Sequence, residues 1–147
     1  MKTISPKDLN NLQLQTLLQT AIAPRPIALA STIDKDGNVN LSPFSFFNMF
    51  STNPPVVIFS PSRRVRDNTT KHTLENVHEV AEVVIGIVNY NIVQQISLAS
   101  TEYEKGVNEF VKSGLTMKEA DLVKPQLIEE CPVNLECKVL EVKPLGT

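Results

Sequence analysis

The chain has 147 residues, of which 41% are hydrophobic and 20% charged, with a formal net charge of −2. That is one ordinary domain with enough apolar material for a substantial core, which excludes a disordered or collagen-like chain, and its net negative charge argues against general attraction to nucleic acid or anionic membrane. No apolar run approaches the roughly 20 residues that span a bilayer, and the N-terminal MKTISPKDLNN lacks the apolar core of a secretory signal, so a cytoplasmic location is expected.

Residues 5–19 place Leu9, Leu12, Leu14, Leu17 and Leu18 at steps of three and four, with Ser5 and Pro6 as cap and first-turn proline, and predict an amphipathic helix. Pro24-Arg25-Pro26 forces extended backbone, and residues 27–33 then alternate as a strand. Asp34-Lys35-Asp36-Gly37-Asn38 is a hairpin signal, because Asp-Gly supplies the positive dihedrals of a tight turn, and the return strand is expected over residues 38–43. Residues 44–51, rich in Phe and Ser, read as irregular structure or a helical turn lining a cavity.

Asn53-Pro54-Pro55 reads as a turn, and residues 56–60 as a short strand buried on both faces. Thr69 and Thr70 are candidate caps for a helix over residues 71–78. The β-branched residues of 79–88 predict a strand, and the spacing in 91–100 predicts a helix. Short helical pieces are expected at 107–113 and 117–122, then a long alternating strand over 131–142. Together these predict an antiparallel barrel or sandwich with short helices outside it. The chain reaches Thr147 just after that last strand, where a barrel normally needs another strand to close.

Cys131 and Cys137 fall in one strand-like run, which holds them about 20 Å apart if extended at ~3.3 Å per residue, beyond the ~7 Å reach of a disulfide. Two packed free thiols are expected. His72 and His78 lie on roughly opposite faces of one predicted helix, so they form neither a HExxH arrangement nor a paired site, and no metal centre is expected. The absence of GxGxxG and GxxxxGK[ST] argues against a Rossmann domain and a P-loop.

The chemistry is concentrated in two blocks. Between residues 61 and 71, Arg63, Arg64, Arg66 and Lys71 face a single acid, Asp67, amid the hydroxyls of Ser60, Ser62, Thr69, Thr70 and Thr73. Such a cluster at a helix start suits a phosphate, although spacing alone also fits a solvated basic loop. The block Ser42-Pro43-Phe44-Ser45-Phe46-Phe47-Asn48 offers apolar rings beside polar groups, as a pocket for a flat cofactor requires, or else three core phenylalanines.

The run RPIALASTIDKDGNVNLSPFSFFN, then NPPVVIFS, KHTLENV and GVNEFVKSGLT with LVKPQLIEECPVNLECKV, resembles the flavin reductase-like family with the FMN-binding split barrel, which includes flavoredoxin-type proteins. The resemblance covers nearly the whole chain. It implies a mainly β fold, an antiparallel Greek-key split barrel with short peripheral helices. It also implies a homodimer that binds FMN near the interface and moves hydride from the nicotinamide C4 of NADH or NADPH to flavin N5 and on to an acceptor. The alternative within the same likeness is an FMN-binding electron carrier without NAD(P)H turnover, and a third reading from the residues alone is a barrel whose basic loop binds an acidic partner.

Carried over by position, Ser42, Pro43, Phe44 and Ser45 line the flavin ring, Arg25, Ser31 and Thr32 border the pocket, and Ser60, Arg63 or Arg64, Lys71 and Thr73 hold the phosphate. No catalytic side chain is implied. The family's Lys-Asp-Thr triplet is Lys71-His72-Thr73 here, and its members usually continue past the position of Thr147 into further barrel strands.

Overall fold

The computed structural model describes residues 3–61 and 70–145. The helix expected over residues 5–19 divides into a 3₁₀ turn at Pro6–Asp8, capped by Ser5, and helix α1 at Asn11–Ala21. Asn10 starts α1: its side-chain oxygen accepts from the Gln13 N–H at 2.9 Å while the Gln13 side chain accepts from the Asn10 N–H at 3.1 Å. That reciprocal capping outcompetes continuation from the upstream turn.

Strands β1, Ala28–Ile33, and β2, Val39–Phe44, form the expected hairpin, in register from Ala28 opposite Phe44 to Ile33 opposite Val39. The Asp34 carboxylate accepts from the backbone N–H of Asp36 and of Asn38 and from the Asn38 amide, and Gly37 takes φ 84°. An aspartate that bonds its own turn and a glycine free to adopt positive φ are what this connection needs.

Residues 44–51 depart from expectation. Phe47–Thr52 is a strand, β3, paired antiparallel with β4 at Pro55–Phe59 and bulged between Met49 and Ser51. The polar residues that seemed to break the pattern belong to an exposed two-stranded ribbon, and the bulge shifts the alternation by one position. For the same reason β4 is not buried on both faces: none of its five residues is buried, because it stands outside the main sheet.

Helix α2, His72–Glu79, follows with Lys71 at its N-cap and no side-chain capping bond. Thr70 does not cap it, since its hydroxyl donates to Glu75, and Thr69 lies outside the described residues. Next come strand β5 at Glu82–Ile87, a 3₁₀ turn at Tyr90–Ile92, helix α3 at Val93–Ala99 and helix α4 at Glu109–Ser113. Residues 117–122 are not helical. Met117–Lys118 forms a two-residue strand, β6, against β7 at Leu127–Ile128, and the Thr116 N–H is taken by the Glu130 carboxylate at 3.0 Å, so this backbone pairs across the chain. The last strand, β8, is shorter than expected, Val133–Lys138.

Among the described residues the strands form three antiparallel sheets, the largest ordered β2-β1-β5-β8, so the fold is a mixed α/β one. No pairing among these residues closes that sheet into a barrel. One core cluster gathers Leu29, Leu41 and Val84 with Phe110 and Ile128. The other joins Ala28, Ala30, Phe44, Val83 and Ile85 to Phe47, Val57 and Phe59 of the ribbon. Alternation sends neighbouring residues of each strand to opposite faces, so the sheet divides the two cores. The free edge of β2 is finished by Glu109, whose buried carboxylate accepts the Leu41 N–H at 3.1 Å.

Cys131 and Cys137 are both free, as expected. Burial pushes the Cys131 thiol up to about 11. Its sulfur packs where a Cβ on Gly86 would come within 2.7 Å, so the strand needs glycine there to admit it.

Candidate functional site

Ser60 and Lys71, which flank the basic segment in sequence, meet the Ser-Phe block at the ends of β2 and β4. The Phe44 and Phe59 rings stack with centroids 5.3 Å apart and planes at 29°. Lys71 places its Nζ 5.2 Å from the Phe44 centroid, and the Ser60 N–H donates to the Phe46 carbonyl at 2.8 Å. An ammonium over an aromatic face is attracted by the ring quadrupole, by about 0.5–2 kcal/mol depending on exposure. The start of α2 is thereby held against the end of β2.

Arg25 supplies a second fastening. Its Nε donates to the Ser45 hydroxyl at 3.2 Å, and its Nη1 donates to the carbonyls of Gln19 at 2.6 Å and Ile22 at 2.7 Å. Those carbonyls belong to the end of α1, where helical acceptors have no intrahelical donor, so the guanidinium satisfies them while positioning Ser45. It also stands 5.9 Å from the centroid of Phe46.

Of the residues singled out in sequence, Arg25, Phe44, Ser45, Ser60 and Lys71 are thus brought together, with Ser42 and Pro43 half-buried on the adjoining strand. Phe44 is only 5% exposed, whereas Phe46 is 41% exposed. Ser31, Thr32 and Thr73 are buried. Thr73 and Thr32 share a polar cluster between α2 and the sheet: the Asn40 amide donates to Thr73 Oγ1 at 2.9 Å and Thr32 Oγ1 at 3.5 Å, and the Asn76 amide to Thr32 Oγ1 at 3.2 Å. The Ser31 hydroxyl has no hydrogen-bond partner among the described residues. Arg63 and Arg64 lie outside the described residues.

Sequence reasoning missed Phe46 as the exposed ring and Phe59 as the partner of Phe44. The signal for Phe59 was its place at the end of an apolar run, but its ring partner depends on the pairing of β4 with residues 47–52, part of the stretch 44–51 that reads as irregular structure or a helical turn. Two open concavities, of about 510 and 410 Å³, lie elsewhere, sharing Glu79, Val80 and Lys124. Carboxylates there serve as loop braces: Glu79 accepts the Lys35 N–H at 3.0 Å and Glu82 the Lys124 N–H at 2.8 Å. Among the described residues no cluster of His, Cys, Asp and Glu suits a metal ion, and no helix is long and apolar enough to cross a membrane.

Residues 20–147 match the flavin reductase like domain. The chain belongs to this family. It is 39% identical over 139 residues to an uncharacterized protein of Aquifex aeolicus, covering 95% of this chain and 70% of that protein. With the uncharacterized protein BH2278 of Halalkalibacterium halodurans it shares 34% identity, covering 97% of this chain and 68% of that one. Among solved structures, nitrilotriacetate monooxygenase component B from Bacillus cereus superposes with a TM-score of 0.94 at 28% identity, over 100% of this chain and 72% of that one. A Shewanella frigidimarina protein with a split barrel domain, described as a flavin reductase, gives 0.79 at 26%, over 99% and 72%. This flavin reductase-like domain therefore has the fold of split-barrel relatives and spans only part of their length.

Proposed function

We propose that this flavin reductase-like domain binds FMN and takes part in moving hydride from NADH or NADPH to flavin or to a downstream acceptor. The observation that carries the reading is the convergence at Phe44, where a stacked ring pair, the Lys71 ammonium, the Arg25-held Ser45 and the Ser60 segment share one location. This donor set fits FMN: a flat apolar ring system needs an aromatic bed with a few hydrogen-bonding groups at its edge, and a phosphate needs fixed positive charge.

In this reading Ser42, Pro43 and Ser45 border the ring, with Phe44 beneath them and Arg25 orienting Ser45. Lys71 and Ser60 serve the phosphate, together with Arg63 or Arg64. Thr32 and Thr73 contribute from below, by fixing α2 to the sheet through the buried Asn40 and Asn76 amides, and Ser31 lies beside Thr32 on the same strand. Bound flavin supplies the redox chemistry, so the protein's tasks are to bind, to orient and to exclude water, and no side-chain acid or base is required.

The same reading includes a homodimer and a barrel closed beyond the strands described. Support for the dimer comes from apolar surface: no residue of α1 is buried, Leu12 within it is 69% exposed and Ile22 just after it 61%, and Phe50 on the ribbon is 65% exposed. Apolar surface of this kind marks an interaction face.

The test is to mix purified protein with FMN and NADH or NADPH and follow absorbance near ~340 nm, where reduced nicotinamide absorbs. Catalysed loss of the signal is expected. FMN binding without turnover on either nucleotide would leave the electron-carrier alternative, and no effect of FMN on the melting temperature would sink the flavin reading.

A further inference from the structure

We propose that Lys105 is a positioning residue for the phosphate end of this site, acting through Glu75; the inference rests on the FMN reading above. Glu75 lies four residues after Lys71, hence on the same side of α2. One of its carboxylate oxygens accepts the Thr70 hydroxyl at 2.9 Å, and the other stands 3.7 Å from the Lys105 ammonium. Thr70 immediately precedes Lys71, so the carboxylate grips the residue that leads into the helix start. Lys105 arrives from the segment between α3 and α4, far away in sequence.

An uncompensated carboxylate beside Lys71 would repel an incoming phosphate, because like charges a few ångströms apart disfavour one another. Lys105 cancels that charge while Glu75 keeps hold of Thr70. The pair can contribute little to folding, since the Lys105 and Glu75 side chains are 69% and 38% exposed and water screens them. Its consequence lies in the local field met by an anion at the start of α2, and that field weakens with salt.

Riboflavin carries the same ring as FMN without the phosphate, so the two ligands separate the ends of the site. Dissociation constants for both are measured by flavin fluorescence at low salt, for the wild type, Lys105→Ala, Glu75→Gln and the double variant. Lys105→Ala should weaken FMN binding about threefold, the size typical of an exposed pair, and leave riboflavin unchanged. In the Glu75→Gln background, where Glu75 has no charge for Lys105 to compensate, the loss should vanish. Equal weakening of both ligands, no weakening, or a loss undiminished by Glu75→Gln overturns the proposal. A wild-type protein that binds riboflavin as tightly as FMN also overturns it, whereas one that binds neither removes the flavin reading itself.

Discussion

On the helical side of the β2-β1-β5-β8 sheet, Leu29, Leu41, Val84, Phe110 and Ile128 are all 0% exposed, while on the β3-β4 ribbon Met49, Phe50 and Ile58 are 62%, 65% and 51% exposed. Both regions are rich in large apolar side chains. The first spends them on the chain's own interior, and the second leaves them on the surface next to the cluster formed by Phe44, Lys71 and Arg25. Hydrophobic content therefore marks two different things here: what folds the domain, and what is left for a ligand or a second copy to cover.

The sharpest way to break that contrast is to shorten one ring on each side. Phe110→Ala should destabilise the domain by about 3–5 kcal/mol, the usual cost of emptying a buried phenylalanine site. Phe50→Ser should leave unfolding of the monomer within about 0.5 kcal/mol of the wild type. Urea unfolding at low protein concentration gives both values, and sedimentation tests the proposed homodimer, which Phe50→Ser should shift toward monomer. Equal destabilisation by the two changes would mean that the ribbon is also core.

A smaller effect sharpens the description of the sheet edge. Burial raises the Glu109 carboxyl above its ordinary value of 4.5, against the opposing influence of the Leu41 N–H it accepts. A raised native value means that the folded chain holds this proton more firmly than the unfolded chain. Its contribution is thus fully present below 4.5 and is lost as pH rises through the higher native value. Glu109→Gln keeps an acceptor for Leu41 and should flatten that part of the stability-versus-pH curve. An unchanged slope would assign the pH dependence to another group.

The hairpin at Asp34 to Asn38 was legible in sequence because its geometry is local: an aspartate that bonds its own turn and a glycine with positive φ decide it. Residues 28–33 were legible because alternation follows a proline-forced extended start, and residues 82–87 because β-branched runs have few other uses. In the ribbon β4 was legible as a strand, though not as an exposed one, whereas β3 was not, since a bulge at Met49 to Ser51 shifts the alternation and an exposed strand carries polar residues on either face. Residues 117–118 looked helical and became a strand because their partner, residues 127–128, and the Glu130 carboxylate lie outside any local window. At the site, Arg25, Ser45, Ser60 and Lys71 were found by chemistry and by family likeness. Phe59, Phe46, Glu75 and Lys105 acquire their places only through tertiary contacts.

The most direct measurement is a titration of FMN into the purified chain, with Lys71→Ala beside it. The wild type should bind one FMN per chain, and removing the ammonium over Phe44 should weaken that binding by about 1.5–3 kcal/mol, tenfold or more, as expected for loss of a charge-assisted contact. Wild-type protein that takes up no FMN, or Lys71→Ala protein that binds it equally well, would contradict the placement of the phosphate at the start of α2.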